Sequence, residues 1–255
     1  MAITPQSPKV APKWHRRWWA RAVAVAAVLL VAAGIYFGTY YPAHGEAVAA
    51  LADGQRVSVT RAEGVIALLP DEGGPDTGFI FYPGGKVDER AYAPALLAIA
   101  RRGYAVFLVQ MPFHLAVFRG DAAAAVIARH PQISHWAVGG HSLGGVMAAD
   151  WAAKNTDKVQ GLVLWASYPT ADMTQSGLKA LTLLGTLDGV ISQGKWSQAK
   201  ALLPKGYQYV AIGGGNHAGF GDYGPQSGDG VAAIPAQEQQ QSAVDATSAL
   251  LESLK

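Results

Sequence analysis

Short apolar runs alternate with helix-like segments through most of this 255-residue chain, and this alternation most restricts how it can fold. The apolar runs, interpreted as strands, cover residues 55–60, 64–69, 78–82, 104–110, 135–139, 160–166, 180–185 and 207–212. The helix-like segments cover residues 88–102, 119–130, 143–154, 192–201 and 236–253. Strands and helices in alternation form a mostly parallel sheet with helices on both faces. We therefore predict an α/β fold of about eight strands, as one domain over residues 55–255.

An uncharged stretch of twenty residues, 22–41, comes before this domain. As a helix rising about 1.5 Å per residue, it would cross a bilayer core of roughly 30 Å. Residues 1–21 contain five Lys and Arg, no acidic residue and three tryptophans, which is typical of a cytoplasmic flank. We expect a cytoplasmic basic N-terminus at 1–21, a single-pass transmembrane signal-anchor at 22–41 and a linker at 42–54. The folded domain would then lie on the extracytoplasmic side.

Two other interpretations of the apolar stretch stay open. Val31-Ala32-Ala33 resembles a small-residue cleavage site, so the stretch could be a signal peptide whose removal releases a secreted protein. A buried core helix is the other interpretation, and the basic, aromatic flank disfavours it.

Charge and composition exclude several classes of partner and chemistry. Beyond residue 45 the chain has 15 Lys and Arg against 18 Asp and Glu, so no basic surface for nucleic acid is expected. The absence of cysteine excludes disulfides, thiolate metal ligands and a cysteine nucleophile. No phosphate-binding loop, dinucleotide fingerprint or zinc-ligand helix motif occurs, so we expect neither a cofactor nor a metal. The sequence carries no signal for an oligomeric state.

Gly140-His141-Ser142-Leu143-Gly144 matches G-x-S-x-G, in which glycines allow a sharp turn that exposes a serine hydroxyl. The motif requires a strand before it and a helix after it, and the predicted elements at 135–139 and 143–154 supply both. This context favours Ser142 as a nucleophile over a purely structural glycine-rich turn.

Four blocks of the sequence resemble the α/β-hydrolase superfamily, in its compact dienelactone-hydrolase-like and fold-5 members. They are Tyr82–Asp88, Gly139–Gly145, Gly185–Gly189 and Gly214–His217, and the resemblance covers about residues 55–253. The resemblance implies the α/β-hydrolase fold and a serine hydrolase that acts through Ser142. Dienelactone hydrolases have cysteine at that position, so the resemblance does not extend to their substrate.

A serine hydroxyl needs a base to take its proton and a carboxylate to orient that base. His217 follows the last predicted strand in a Gly-rich loop, and α/β-hydrolases order these residues as Ser, acid, His. His114 also follows a strand, but it precedes Ser142 in the chain and is the alternative base. Asp188 lies where the resemblance implies the acid, and Asp172, after the preceding strand, is the alternative.

Attack by serine on an acyl carbon creates an oxyanion, which N–H donors stabilise. We expect one donor from Leu143, directly after the nucleophile at a helix N-terminus, and a second from Gly84 or Gly85 in the turn after the third strand. Four side chains near strand ends are candidate substrate contacts: Tyr82, Phe113, His114 and Trp165.

These residues predict hydrolysis of a small-molecule carboxylic ester or thioester, through an acyl-enzyme on Ser142. An acyltransferase with the same three residues is the first alternative, and an acceptor that competes with water would distinguish it. The second alternative is a catalytically silent binding module tethered to the membrane.

Overall fold

The computed structural model describes residues 13–52 and 56–255, and within the first helix it describes side chains from Trp18 onward. Residues 1–12 of the expected cytoplasmic N-terminus lie outside the described residues. So do residues 53–54 of the expected linker and residue 55 at the start of the expected domain. The chain divides into two compact units, residues 1–39 and residues 40–255.

The described part of the first unit is a single long helix, α1 (Lys13–Gly38). Its segment Trp18–Gly38 has 21 residues and a mean hydropathy of 2.1, and no part of this described segment is buried. The segment is therefore long enough and apolar enough to cross a membrane, and a signal sequence near an N-terminus meets the same criteria. Its full exposure does not support the interpretation as a core helix.

The second unit contains an eight-stranded sheet over the residues that the structure describes. Its spatial order is β1-β2-β4-β3-β5-β6-β7-β8; β2 pairs antiparallel with β1 and β4, and the other pairs are parallel. The strands are β1 (Val57–Ala62), β2 (Val65–Pro70), β3 (Thr77–Tyr82), β4 (Ala105–Val109), β5 (His135–His141), β6 (Gly161–Trp165), β7 (Lys179–Gly185) and β8 (Gln208–Ile212). All eight predicted strands are confirmed. The inner strands are largely buried between covering layers, whereas β1 and β8 at the edges are largely exposed.

Helices cover both faces of this sheet, as predicted. They are α2 (Gly45–Ala50), α3 (Ala93–Ala100), α4 (Ala122–Arg129), α5 (Leu143–Ala153), α6 (Gln193–Ala199) and α7 (Ala236–Ser253). The segment predicted as a helix over 88–102 begins with a separate 3-10 turn, Glu89–Tyr92, because the Asp88 carboxylate accepts the N–H of Arg90 and holds the chain in that turn. Helix α3 packs against α7, and α5 packs across β3, β5 and β6.

The segment expected to be a linker is part of the folded domain over its described residues. It contains α2, and the side chains of Ala47 and Leu51 are buried. The N–H of His44 donates to the carbonyl of Asp222 over 2.8 Å, just after Tyr41 pairs with Val87 in a parallel bridge. Buried apolar side chains and paired backbone groups fix this segment, so residues 42–52 do not form a flexible tether.

Parallel strands place the loops that follow them at one edge of the sheet. In this chain the loops after β3, β5, β6, β7 and β8 all leave that carboxyl edge. The candidate residues Gly85, Ser142, Asp188 and His217 follow four of these strands in the sequence. The topology therefore brings them to the same edge.

Candidate active site

Ser142 occupies the sharp turn between β5 and α5, with φ 50° and ψ −124°. A positive φ is uncommon for a residue with a side chain, and the surrounding structure must hold it. A Cβ atom at Gly140 would lie 2.4 Å from the carbonyl oxygen of Tyr82, and one at Gly144 would lie 2.2 Å from that of Pro83. Only glycine fits at either position, which explains the spacing of the motif.

Neighbouring groups hold this turn in place. The N–H of Ser142 donates to the carbonyl of Trp165 over 3.0 Å, which extends the pairing of β5 with β6. The hydroxyl of Ser167 donates to the carbonyl of Ser142 over 2.7 Å. These two hydrogen bonds hold both the N–H and the carbonyl of Ser142, the residue with the strained conformation.

Asp188 and His217 form a buried pair, with 2.8 Å between Oδ2 of Asp188 and Nδ1 of His217. Their side chains are 4% and 1% exposed. Burial acts to raise the pKa of the Asp188 carboxyl, but hydrogen bonds from His217 and from the N–H groups of Ile191 and Val190 hold the pKa below its usual value. The carboxylate is therefore ionised at neutral pH and can only accept, so Nδ1 of His217 carries the hydrogen.

That tautomer leaves a lone pair on Nε2 of His217. This atom is buried and has no hydrogen-bond partner within the described part of the chain. His217 and Ser142 line one cavity of about 220 Å³ at the carboxyl edge of the sheet. The other residues around this cavity are Leu143, Val146, Ala166, Ser167, Tyr168, Val190 and Ile191. An unpaired imidazole nitrogen beside a serine can act as its base, and catalytic hydrogen bonds are often long before substrate binds.

Two backbone N–H groups at or next to this cavity are candidate donors to an oxyanion. Leu143 is the first residue of α5, where an N–H has no partner inside the helix. The N–H of Gly84 donates instead to the Tyr92 hydroxyl over 3.1 Å in the core. Gly85 packs on Leu143, so closely that a Cβ atom there would be 3.0 Å from Cδ2 of Leu143. The sequence did not decide whether Gly84 or Gly85 is the second oxyanion donor. This geometry favours Gly85.

The alpha/beta hydrolase family model matches residues 78–241, which include Ser142, Asp188 and His217. This chain belongs to the alpha/beta hydrolase family. The match covers more than half of the chain, and together with relatives named as esterases it shows that the protein is a hydrolase enzyme.

Solved structures with the same fold include esterases and a dienelactone hydrolase. Est1E from Butyrivibrio proteoclasticus is 13% identical, with a TM-score of 0.57 over 78% of this chain and 100% of that one. Dienelactone hydrolase from Anabaena variabilis is 14% identical, with a TM-score of 0.53 over 77% and 100%. At these identities the similarity shows the fold alone.

A curated relative is more similar over a shorter region. It is the pimeloyl-[acyl-carrier protein] methyl ester esterase of Chromobacterium violaceum, 35% identical over 101 residues. The alignment covers 35% of this chain and 39% of that protein. The hydrolase described here therefore spans about two fifths of the length of the relative it matches.

Two of the side chains predicted as substrate contacts of this hydrolase belong to the core instead. Tyr82 is fully buried, and its hydroxyl donates to the carbonyl of Gly120 and accepts the N–H of Ala123. Trp165 is also fully buried, and its indole N–H donates to the Thr247 hydroxyl. Neither lines the Ser142 cavity. Both side chains point into the layers that cover the sheet, so the structure does not bring them to this cavity.

The other two predicted contacts also lie outside the Ser142 cavity. Phe113 is 57% exposed in the loop after β4. The ring of His114 stacks on that of Tyr40 with 4.1 Å between centroids, and its Nδ1 is 3.8 Å from a Glu89 oxygen. Its Nδ1 has no hydrogen-bond partner in the described part of the chain, but His114 does not line the cavity that contains Ser142, so the structure does not bring the alternative base to the serine. The alternative acid, Asp172, is exposed and accepts the N–H of Thr174.

Asp229 contacts both loops of this site, and the sequence did not indicate it. Its Oδ1 accepts the N–H groups of Gly189 and His217, and its Oδ2 accepts that of Ala218. One carboxylate thus joins the loop of Asp188 to the loop of His217. The apolar cavity walls were also missed, although their place in the first turns of α5 and in the loops after β6 and β7 could have indicated them.

No group of three or more His, Asp or Glu residues in the described ranges is arranged to hold a metal ion.

Replacing Asp188 with asparagine tests its pairing with His217. Asp188→Asn should lower kcat by about 10⁴-fold, because the amide no longer holds Nδ1–H and the imidazole takes the wrong tautomer. The two side chains have the same shape, so thermal unfolding should change little. Hydrolysis of p-nitrophenyl acetate measures the effect, and Asp172→Asn is the matched control. Full turnover by Asp188→Asn would exclude Asp188 as the orienting acid.

Proposed function

We propose that this enzyme hydrolyses a small-molecule carboxylic ester or thioester through an acyl-enzyme on Ser142. The observation that carries the proposal is the unpaired Nε2 of His217 in the cavity of Ser142, with Nδ1 bound to the ionised Asp188. This is the arrangement that converts a weakly acidic hydroxyl into a nucleophile.

In this mechanism, Nε2 of His217 takes the hydroxyl proton while Oγ of Ser142 attacks the acyl carbon. The N–H groups of Leu143 and Gly85 stabilise the oxyanion of the tetrahedral intermediate. The protonated Nε2 then donates its proton to the departing alkoxide or thiolate, and the acyl group remains on Ser142. A water molecule, deprotonated by Nε2, releases the acid and restores the serine.

Two alternatives share these residues. An acyltransferase would form the same acyl-enzyme and transfer the acyl group to an acceptor other than water. A silent binding module would bind a ligand in the cavity and form no acyl-enzyme. The name of the curated relative, a methyl ester esterase, supports an ester bond and water as the acceptor. The buried contacts of Asp188 and His217 support catalysis, because a ligand-binding loop has no need of an oriented imidazole.

Covalent labelling tests this proposal. The full chain in detergent should react with a fluorophosphonate probe and gain the mass of one phosphonyl group, because the probe captures a serine that an adjacent base activates. Ser142→Ala should remain unlabelled and lose hydrolysis of p-nitrophenyl acetate.

A folded wild-type protein that neither reacts with the probe nor hydrolyses the ester would support the binding module. Addition of an alcohol or thiol acceptor separates hydrolase from transferase: an acyltransferase would convert most of the ester into the acceptor's acyl product.

The cavity of Ser142 favours a short, uncharged acyl group. Its walls are the apolar side chains of Leu143, Val146, Val190 and Ile191, and no Lys or Arg lines it. At the ~30 Å³ that one water occupies in the liquid, a cavity of about 220 Å³ holds about seven water-sized groups. A short chain fits this space, and an anionic acyl group would find no countercharge.

We therefore expect the cavity walls to limit the length of the acyl chain that the enzyme prefers. With p-nitrophenyl esters, kcat/KM should be highest for two to four carbons and should fall for eight. Ile191→Ala should raise kcat/KM for the eight-carbon ester relative to the two-carbon ester by about tenfold or more, because it removes part of the wall. Leu187→Ala, in the same loop but outside the cavity, is the matched control. An unchanged ratio in Ile191→Ala would place the acyl group elsewhere.

We also propose that α1 anchors the enzyme in a membrane, with the hydrolase domain on the extracytoplasmic side. The exposed apolar segment Trp18–Gly38 supports this. The full chain should remain with membranes after an alkaline carbonate wash, whereas residues 40–255 should be soluble and active because they retain Tyr41 and His44. Protease added outside intact cells should remove the domain. A mature protein that lacks the first 33 residues would show signal-peptide cleavage instead.

A further inference from the structure

A buried series of hydrogen bonds connects the turn after β3 with the loop that carries His217. The N–H of Gly84 donates to Oη of Tyr92 over 3.1 Å, and this Oη lies 2.8 Å from Nδ1 of His141. Nε2 of His141 lies 3.1 Å from the carbonyl oxygen of His217. The side chains of Tyr92 and His141 are fully buried, so solvent does not compete for these bonds.

The donors and acceptors in this series can be assigned in only one consistent direction. The carbonyl of His217 can only accept, so Nε2 of His141 carries a hydrogen. Burial, and secondly the nearby His217, hold the pKa of His141 well below its usual value, so the ring is neutral and its Nδ1 accepts. Burial raises the pKa of Tyr92, so its hydroxyl keeps the proton that it donates to Nδ1. Oη of Tyr92 is then the acceptor for Gly84.

The fit around Gly84 is close. A Cβ atom at this position would lie 2.6 Å from Nδ1 of His141 and 2.7 Å from Oη of Tyr92. Only glycine lets the backbone approach these two polar atoms so closely. The N–H of Gly84 is therefore directed into the core, and the next residue in the turn is Gly85, which packs on Leu143.

We propose that Tyr92 and His141 are positioning residues that fix the oxyanion donor of Gly85 relative to the base, His217. Tyr92 holds the peptide before the donor, and His141 holds both Tyr92 and the backbone of His217. Neither residue lines the Ser142 cavity, so each acts through another group. This inference rests on the proposed function, because it requires an oxyanion to form between Gly85 and Leu143.

A positioning role and a merely structural role predict different results. If the two residues only fill the core, their loss lowers stability and leaves kcat of the folded enzyme unchanged. If they position the donor, their loss lowers kcat without raising KM, because the donor acts on the transition state and not on bound substrate.

Tyr92→Phe removes the hydroxyl and retains the ring, so it is the decisive variant. We expect kcat for p-nitrophenyl acetate to fall about 10-fold to 100-fold, less than the 10²–10³-fold loss typical of removing a donor outright. KM should be unchanged, and the rate of fluorophosphonate labelling should fall in parallel with kcat. All measurements use the full chain in detergent, with thermal unfolding to show that the variant is folded.

Tyr223→Phe is the matched control. Its ring lies 6.4 Å from that of Tyr92 between centroids, in the same buried aromatic cluster, but its hydroxyl binds the side chain of Gln226. Removing this hydroxyl should leave both kcat and the labelling rate unchanged.

Two substitutions at His141 provide an independent test. His141→Asn retains an acceptor near the position of Nδ1, whereas His141→Leu removes both polar atoms, so the Asn variant should have the higher kcat. Wild-type kcat in a folded Tyr92→Phe enzyme would overturn the inference. If Tyr92→Phe does not fold, equal kcat values for the two His141 variants would overturn it. A wild-type enzyme that neither hydrolyses esters nor reacts with the probe would instead overturn the proposed function.

Discussion

The close approach of the Ser142 turn to the end of β3 is the contact on which the rest of the site depends. Gly140 and Gly144 lie against the carbonyl groups of Tyr82 and Pro83, at distances that no side chain permits. This approach brings the proposed nucleophile next to the turn that contains Gly85. It also requires the positive φ of Ser142, a conformation that costs about 1–3 kcal/mol. The hydrogen bonds from β6 and from Ser167 offset that cost within the sheet.

Asp188 and His217, the proposed acid and base, depend on a second set of contacts, which consists of buried polar groups. Asp229 accepts N–H groups from both loops, and Gln239 of α7 is fully buried and binds the N–H and the carbonyl of Asn216, next to His217. A buried polar network stabilises one arrangement strongly when every member has a partner. The Gly-rich loop that carries His217 therefore has a fixed conformation, despite a composition that permits many.

Much of the fold could be predicted from the sequence because the apolar runs report burial directly. The inner strands follow from such runs, although β1 and β8 at the edges are largely exposed, and the strand-turn-helix around Ser142 follows from its glycine spacing. The structure also brings Asp188 and His217 together, because the loops after neighbouring parallel strands share one edge. These features are local in sequence or follow from chain order, so a pattern in the sequence can indicate them.

The features that the sequence could not indicate depend on contacts between residues that are distant in the chain. The choice between Gly84 and Gly85 rests on the hydroxyl of Tyr92, which belongs to the following 3-10 turn and shows no motif. Tyr82 and Trp165 were expected at the cavity because they end strands, but their side chains point into the covering layers. The sequence gives little sign of α2, because only Ala47 of this helix is buried and Leu51 follows it.

In the proposed mechanism, one loop serves both catalysis and substrate choice, through different atoms of the same residues. The N–H groups of Val190 and Ile191 bind Oδ1 of Asp188, while both residues also line the cavity of Ser142. The backbone of this loop thus holds the carboxylate of Asp188, the proposed acid, and its side chains form part of the cavity proposed for the acyl group. A side-chain substitution can change the cavity without moving the acid. An insertion or a proline here would remove the N–H donors, and the position of Asp188 would change with the cavity. Under the proposed mechanism, substrate preference can therefore vary only as far as the backbone of this loop stays in place.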